Sequence, residues 1–124
     1  GRPIDHAVSA FLNDVAERGL SDKILLIITG DFGRTPKINK RGGRDHWPNL
    51  GTLAFAGGGL RMGQVIGQSS RNADVPAADP VTLDNLFGTV MHALFDTTQL
   101  RLQTNIPRDI AATMERAEPI RSLV

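Results

Sequence analysis

Ile24-Leu25-Leu26-Ile27-Ile28, followed at once by Thr29-Gly30-Asp31, is the stretch that decides the fold class. It is a continuous apolar run, rich in β-branched residues and preceded by a Ser21-Asp22 turn. That is the pattern of a strand covered on both faces. A helix precedes it, and a helix leading into such a strand predicts an α/β sheet with helices on its faces. Ligands in those folds collect beyond the carboxyl ends of strands. Here that end carries Thr29, Gly30 and Asp31.

The helix upstream is read from Ile4, Val8, Phe11, Leu12 and Val15, which recur at three- and four-residue steps and make one apolar face. Arg18-Gly19-Leu20 reads as its end, with glycine in the left-handed position after the cap and Leu20 packing back. His6 falls on the opposite face and is read as solvent-exposed.

Downstream, residues 37–51 are polar, glycine-rich and basic, which predicts an ordered loop. Thr52-Leu53-Ala54-Phe55-Ala56 predicts a second strand, Gly57-Gly58-Gly59 a turn, and Gln64-Val65-Ile66 a short third strand in hairpin with it. Residues 67–80 form another loop. Thr82 reads as an N-cap, with Asp84 in the first turn, where a negative charge suits the helix dipole. Leu83, Leu86, Phe87, Val90, Met91, Leu94 and Phe95 then form an amphipathic stripe, and His92 lies opposite it. From residue 96 to 124 the periodicity is weak and two prolines intervene. That predicts a surface-wrapping segment with at most one short helix around residues 110–116.

At 124 residues, with 40% hydrophobic and 22% charged residues, the chain fits a single globular domain over residues 1–124. The net charge of +1 gives no general attraction to nucleic acid or acidic membranes. There is no cysteine, so disulfides and thiolate ligands are excluded. No apolar run approaches the roughly 18 residues that span a bilayer. The first residues, Gly1-Arg2-Pro3-Ile4, lack an initiator methionine and the features of a signal peptide, which suggests a fragment or a processed piece.

Acids, arginines, a histidine and the single tryptophan gather in residues 29–48. Asp31, flanked by Gly30 and Gly33, can present its oxygens to a cation, or it can cap backbone amides in a turn. His46, in Arg44-Asp45-His46-Trp47-Pro48, is either a zinc-type ligand or, favoured by spacing alone, a histidine hydrogen-bonded within a packed loop. Two donors are too few, since zinc takes about four and calcium more. Arg34 could hold a phosphate or sulfate bidentately, or pair with Asp31 or Asp45. Lys37, Lys40, Arg41 and Arg44 read as a solvated loop rather than a nucleic-acid surface, with only Trp47 as a nearby aromatic. The triple glycine lacks the Gly-Lys-Ser/Thr ending of a phosphate loop.

Four motifs in order carry a resemblance. They are Gly30-Asp31-Phe32-Gly33-Arg34-Thr35-Pro36, Gly43-Arg44-Asp45-His46-Trp47-Pro48, Gly57-Gly58-Gly59, and Gly63-Gln64-Val65-Ile66-Gly67. Together they resemble an uncharacterised bacterial family, domain-of-unknown-function family 1501, of the alkaline phosphatase-like, sulfatase-like clan. The resemblance runs from the first helix to about Phe95, and loosely to Pro119-Ile120. It implies the C-terminal portion of a large α/β sandwich, with a mixed sheet, flanking helices and metals at strand ends.

The same resemblance implies that Asp31 and His46 bind a divalent metal, zinc or calcium, in a site this chain leaves incomplete, and that Arg34 contacts an anionic ester. The parent would be a metal-dependent hydrolase of phosphate or sulfate esters, with its nucleophile in an N-terminal half that this chain needs as a partner. Phe32 stands where the clan's hydrolases place a metal-binding histidine or asparagine, and the related family commonly carries glutamate at the position of Asp31. A non-catalytic, ligand- or partner-binding use of the same fold is the alternative. Relatives often carry twin-arginine signals, which implies export.

Overall fold

The computed structural model describes residues 1–103 and 105–124. Thr104, inside the segment read as surface-wrapping, lies outside the described residues. The elements in order are α1 (Arg2–Glu17), β1 (Leu25–Thr29), β2 (Gly33–Arg34), β3 (His46–Trp47), β4 (Leu53–Gly57), β5 (Gln68–Ser69), β6 (Pro76–Ala78), α2 (Leu83–Leu94), α3 (Thr97–Arg101) and α4 (Arg108–Arg116). The fold is mixed α/β, with small sheets of two strands each among the described residues. Strand β1 pairs with β4, and the antiparallel pairs are β2 with β3 and β5 with β6. Two compact units divide the chain. One comprises Gly1–Leu26, Phe55–Met62 and Leu83–Val124, the other Ile27–Ala54 and Gly63–Thr82.

In the first unit α1 ends as its sequence predicts. Gly19 takes φ +66°, its N–H reaches the Ala16 carbonyl at 3.0 Å, and the Leu20 N–H reaches the Val15 carbonyl at 2.9 Å. This pair of bonds is the Schellman closure, which satisfies carbonyls the helix leaves open. The predicted apolar face is only partly covered. Val15 is buried and Val8 and Leu12 are half-buried, but Ile4 is 66% and Phe11 41% exposed. After the turn, the Gly58 N–H donates to both Ser21 O (2.8 Å) and Ile24 O (2.9 Å), tying the end of β4 to the start of β1.

The strand over residues 25–29 exists, but it is not covered on both faces as its sequence predicts. Leu25, Leu26 and Ile27 are half-buried, and Ile28 and Thr29 are exposed. A strand in a two-stranded sheet lacks the neighbouring layers that full burial needs.

The C-terminal segment departs most from expectation. It carries two helices, α3 and α4, and supplies most of the buried apolar side chains: Met114, Ala117, Ile120 and Leu123 join Val15 and Leu60. Helix α4 packs on α2, with Arg116 Nε 3.3 Å from Asp84 Oδ2. The chain then leaves α4 in extended conformation at Ala117 and is strapped to α2. Asn85 Nδ2 donates to Glu118 O (3.0 Å), and Thr89 Oγ1 accepts from the Ile120 N–H (2.9 Å).

Gly88 lies between these two contacts, and a Cβ there would come within 2.8 Å of Ala117 O. The deepest face of α2 is thus Gly88 and Thr89. Of the predicted stripe, Leu83, Leu94 and Phe95 are 82%, 56% and 49% exposed. The backbone of the strap needs a small residue and a hydrogen-bonding one, so a polar position takes the buried place.

In the second unit, residues 64–66 do not form the predicted third strand. Val65 is 99% exposed, and the ladder forms later, between β5 and β6. The loop expected over residues 37–51 is ordered but is interrupted by β3 at His46–Trp47. The Asn39 side chain accepts from the N–H groups of Arg41 (2.9 Å) and Gly43 (3.1 Å) and donates to Asp45 Oδ1 (2.8 Å). Arg44 Nη1 donates to the carbonyls of Thr35 (2.7 Å) and Pro36 (2.5 Å).

Candidate functional site

Beyond β1 the chain passes through Gly30, Asp31 and Phe32 into β2, which pairs antiparallel with β3. The register sets Gly33 opposite Trp47 and Arg34 opposite His46. Directly opposed residues in an antiparallel ladder share a face, and neighbours along a strand alternate. Arg34 and His46 therefore share one face of the ribbon, and Trp47 takes the other.

Glycine at position 33 is required by the packing: a Cβ there would collide with the Leu50 carbonyl oxygen. Trp47 is half-buried and anchors its side of the ribbon, its indole N–H donating to Asp74 O at 2.6 Å. Asp74 in turn belongs to a turn closed by the Ser70 hydroxyl, which bonds the Asp74 carboxylate, and by the Ser70 N–H to Val75 O at 2.9 Å.

On the open face, the rings of Phe32 and His46 lie 4.0 Å apart between centroids, tilted by 32°. Asp31, Phe32, Arg34 and His46 are all exposed. Among the described residues neither the Asp31 carboxylate nor the His46 imidazole has a hydrogen-bond or ion-pair partner. The turn-capping reading of Asp31 and the hydrogen-bonded reading of His46 are thus not what the structure displays. Arg34 pairs with neither Asp31 nor Asp45. Its Nη1 reaches Arg44 O at a long 3.4 Å, while Asp45 is held by Asn39.

Arg34 and His46 thus share an exposed face, and Asp31 is the residue before Phe32, whose ring meets His46. A carboxylate and an imidazole are the right donor types for zinc, but the number falls short of about four. Among the described residues no group of three or more His, Cys, Asp or Glu side chains could hold a metal ion. His6 and His92 are exposed in the other unit, as their helical positions predict. Of the basic residues in the loop, Arg44 is committed to backbone carbonyls, while Lys37, Lys40 and Arg41 are exposed. No helix among the described residues is long and apolar enough to cross a membrane.

Sequence reasoning missed two parts of the site: the opposition of Arg34 and His46, and the stacking of Phe32. Each strand of this ladder has two residues, too short for any period to show in the sequence. The one available signal was Gly33 in Phe32-Gly33-Arg34, since glycine inside an extended run marks close backbone approach.

No curated protein and no solved structure matches the chain. One family profile does, over residues 1–124, and the chain belongs to that family, described as Protein of unknown function (DUF1501).

Proposed function

We propose that this chain is the C-terminal part of an alkaline phosphatase-like α/β sandwich, in which residues 31–46 form one wall of a divalent-metal site. The parent protein then hydrolyses phosphate or sulfate esters. The observation that carries the reading is the Phe32–His46 contact. Asp31 is the residue next to Phe32, and consecutive Cα atoms are about 3.8 Å apart. The 4.0 Å ring contact therefore brings the segments of both candidate ligands together just beyond β1, with their polar atoms unpartnered among the described residues. The half-covered strand β1 and the exposed Ile4 and Phe11 of α1 support the view that further layers belong on this chain.

Asp31 and His46 would supply two donors, and the remainder come from outside these 124 residues. A divalent metal held there would supply Lewis-acid polarisation of an ester oxygen and activation of an attacking group. Arg34, on the same ribbon face as His46, binds the anionic oxygens through its planar fork. The loop behind them holds the ribbon in register through Asn39, Arg44 and Asp45.

The test uses the full-length protein. Its zinc and calcium content is measured, together with hydrolysis of 4-nitrophenyl phosphate and sulfate. Replacing Asp31→Ala and His46→Ala together lowers metal content and cuts turnover by at least about tenfold. Unchanged turnover in the double variant rejects the assignment.

A second reading is favoured by one observation. Phe32 occupies a position beside Asp31 where another donor could stand, and its ring lies on His46. In that reading the exposed ribbon face binds a ligand or partner without catalysis. Saturable anion binding by a full-length protein that has no metal and no turnover supports it over the hydrolase.

A further inference from the structure

The geometry points to Phe32 as a positioning residue that holds the His46 imidazole in one orientation by ring contact. Histidines that bind metals are usually oriented by a hydrogen bond to the second ring nitrogen, which fixes the ring and sharpens its affinity. His46 has no such bond among the described residues. Its backbone is fixed by the ladder to Arg34, but an exposed imidazole on a two-residue strand is otherwise free to change rotamer.

The Phe32 ring blocks that freedom from one side, at 4.0 Å between centroids. The imidazole remains exposed beside the ring, with no hydrogen bond among the described residues. Phe32 is itself 39% exposed, a large cost in water contact for an aromatic that fills no core. Its ring meets His46, and that contact gives the exposed position a purpose. The inference deepens the metal-wall reading in its consequence, but the stacking stands independently of whether metal binds.

The experiment follows the ring protons of His6, His46 and His92 by NMR, in the full-length protein and in its Phe32→Leu and Phe32→Tyr variants, with Zn²⁺ titrated into each. His6 and His92 serve as exposed references, since both belong to the other unit. The Trp47 indole N–H resonance, which depends on its bond to Asp74 O, reports that the ribbon is intact. In the unsubstituted chain the His46 ring protons lie upfield of the references. Phe32→Leu moves them to the reference positions and weakens the Zn²⁺ response at His46 about two- to tenfold, while Phe32→Tyr restores both. His46 shifts that Phe32→Leu leaves unchanged overturn the proposal. A chain in which Zn²⁺ moves no His46 resonance counts against the metal wall alone, and the ring-proton shifts still decide the stacking.

Discussion

Arg34 and His46 stand directly opposite each other in the β2–β3 ladder, so a fixed cation and an imidazole share one exposed face. Among the described residues the guanidinium has only a long 3.4 Å bond to Arg44 O, which leaves most of its donors available. If the face receives an anionic ester, a lysine in its place keeps the charge and loses the fork. Arg34→Lys is expected to raise the inhibition constant of inorganic phosphate or sulfate for the full-length protein about tenfold, and Arg34→Ala further. Equal inhibition of all three proteins removes Arg34 from the anion site.

The strap on α2 is a stability prediction independent of function. Thr89 is fully buried, donates to Asn85 O at 2.7 Å and accepts the Ile120 N–H at 2.9 Å. Valine has nearly the same shape without the hydroxyl, so Thr89→Val leaves the Ile120 amide buried and unpaired. The expected loss is about 1–3 kcal/mol, read from the denaturant midpoint. A loss well under this range means that the strap finds another acceptor. Gly88→Ala tests the same contact sterically and is expected to destabilise as well, because its Cβ meets Ala117 O at 2.8 Å.

On the far side of the ribbon, Trp47→Phe removes the indole donor to Asp74 O while keeping an aromatic of similar shape. It is expected to cost about 1 kcal/mol and to loosen the turn over residues 70–75, seen as faster amide exchange at Ser70 and Ala73. Those N–H groups donate to Val75 O and Ser70 O at 2.9 Å each. Unchanged exchange there separates the tryptophan from the turn.

What could be read in advance was local. The end of α1 at Gly19 depends on one glycine and its own helix, and the first-turn position of Asp84 in α2 was legible locally, although its pairing with Arg116 was not. Asp31 and His46 could be singled out by residue type and by the glycines around them. The register that faces His46 to Arg34 could not, because a two-residue strand has no periodicity. Val65 and Ile66 read as strand on propensity, but no strand pairs with them among the described residues, and propensity yields to pairing.

The buried run of Met114, Ala117, Ile120 and Leu123 escaped for a different reason. Its three-residue spacing crosses from the end of α4 into an extended strap, so neither the helical nor the strand period applies throughout. Thr89 escaped because burial of a hydroxyl is dictated by an amide thirty-one residues away.

The last prediction concerns the uncovered apolar surface. Ile4, Leu83, Leu94, Phe95 and Leu102 in one unit, and Ile38 and Val65 in the other, are at least 49% exposed. Single exposed apolar residues are ordinary, but clusters of large ones mark surfaces that another layer covers. Strand β1 adds four consecutive aliphatic side chains that are half-buried at best. If the chain is the C-terminal part of a larger sandwich, it should self-associate by itself, with sedimentation that depends on concentration and with binding of a hydrophobic dye. Adding the N-terminal half should suppress both, because its strands and helices compete for the same surface. A 124-residue chain that sediments as a strict monomer and binds no dye overturns the larger-sandwich reading, whatever becomes of the site at Asp31 and His46.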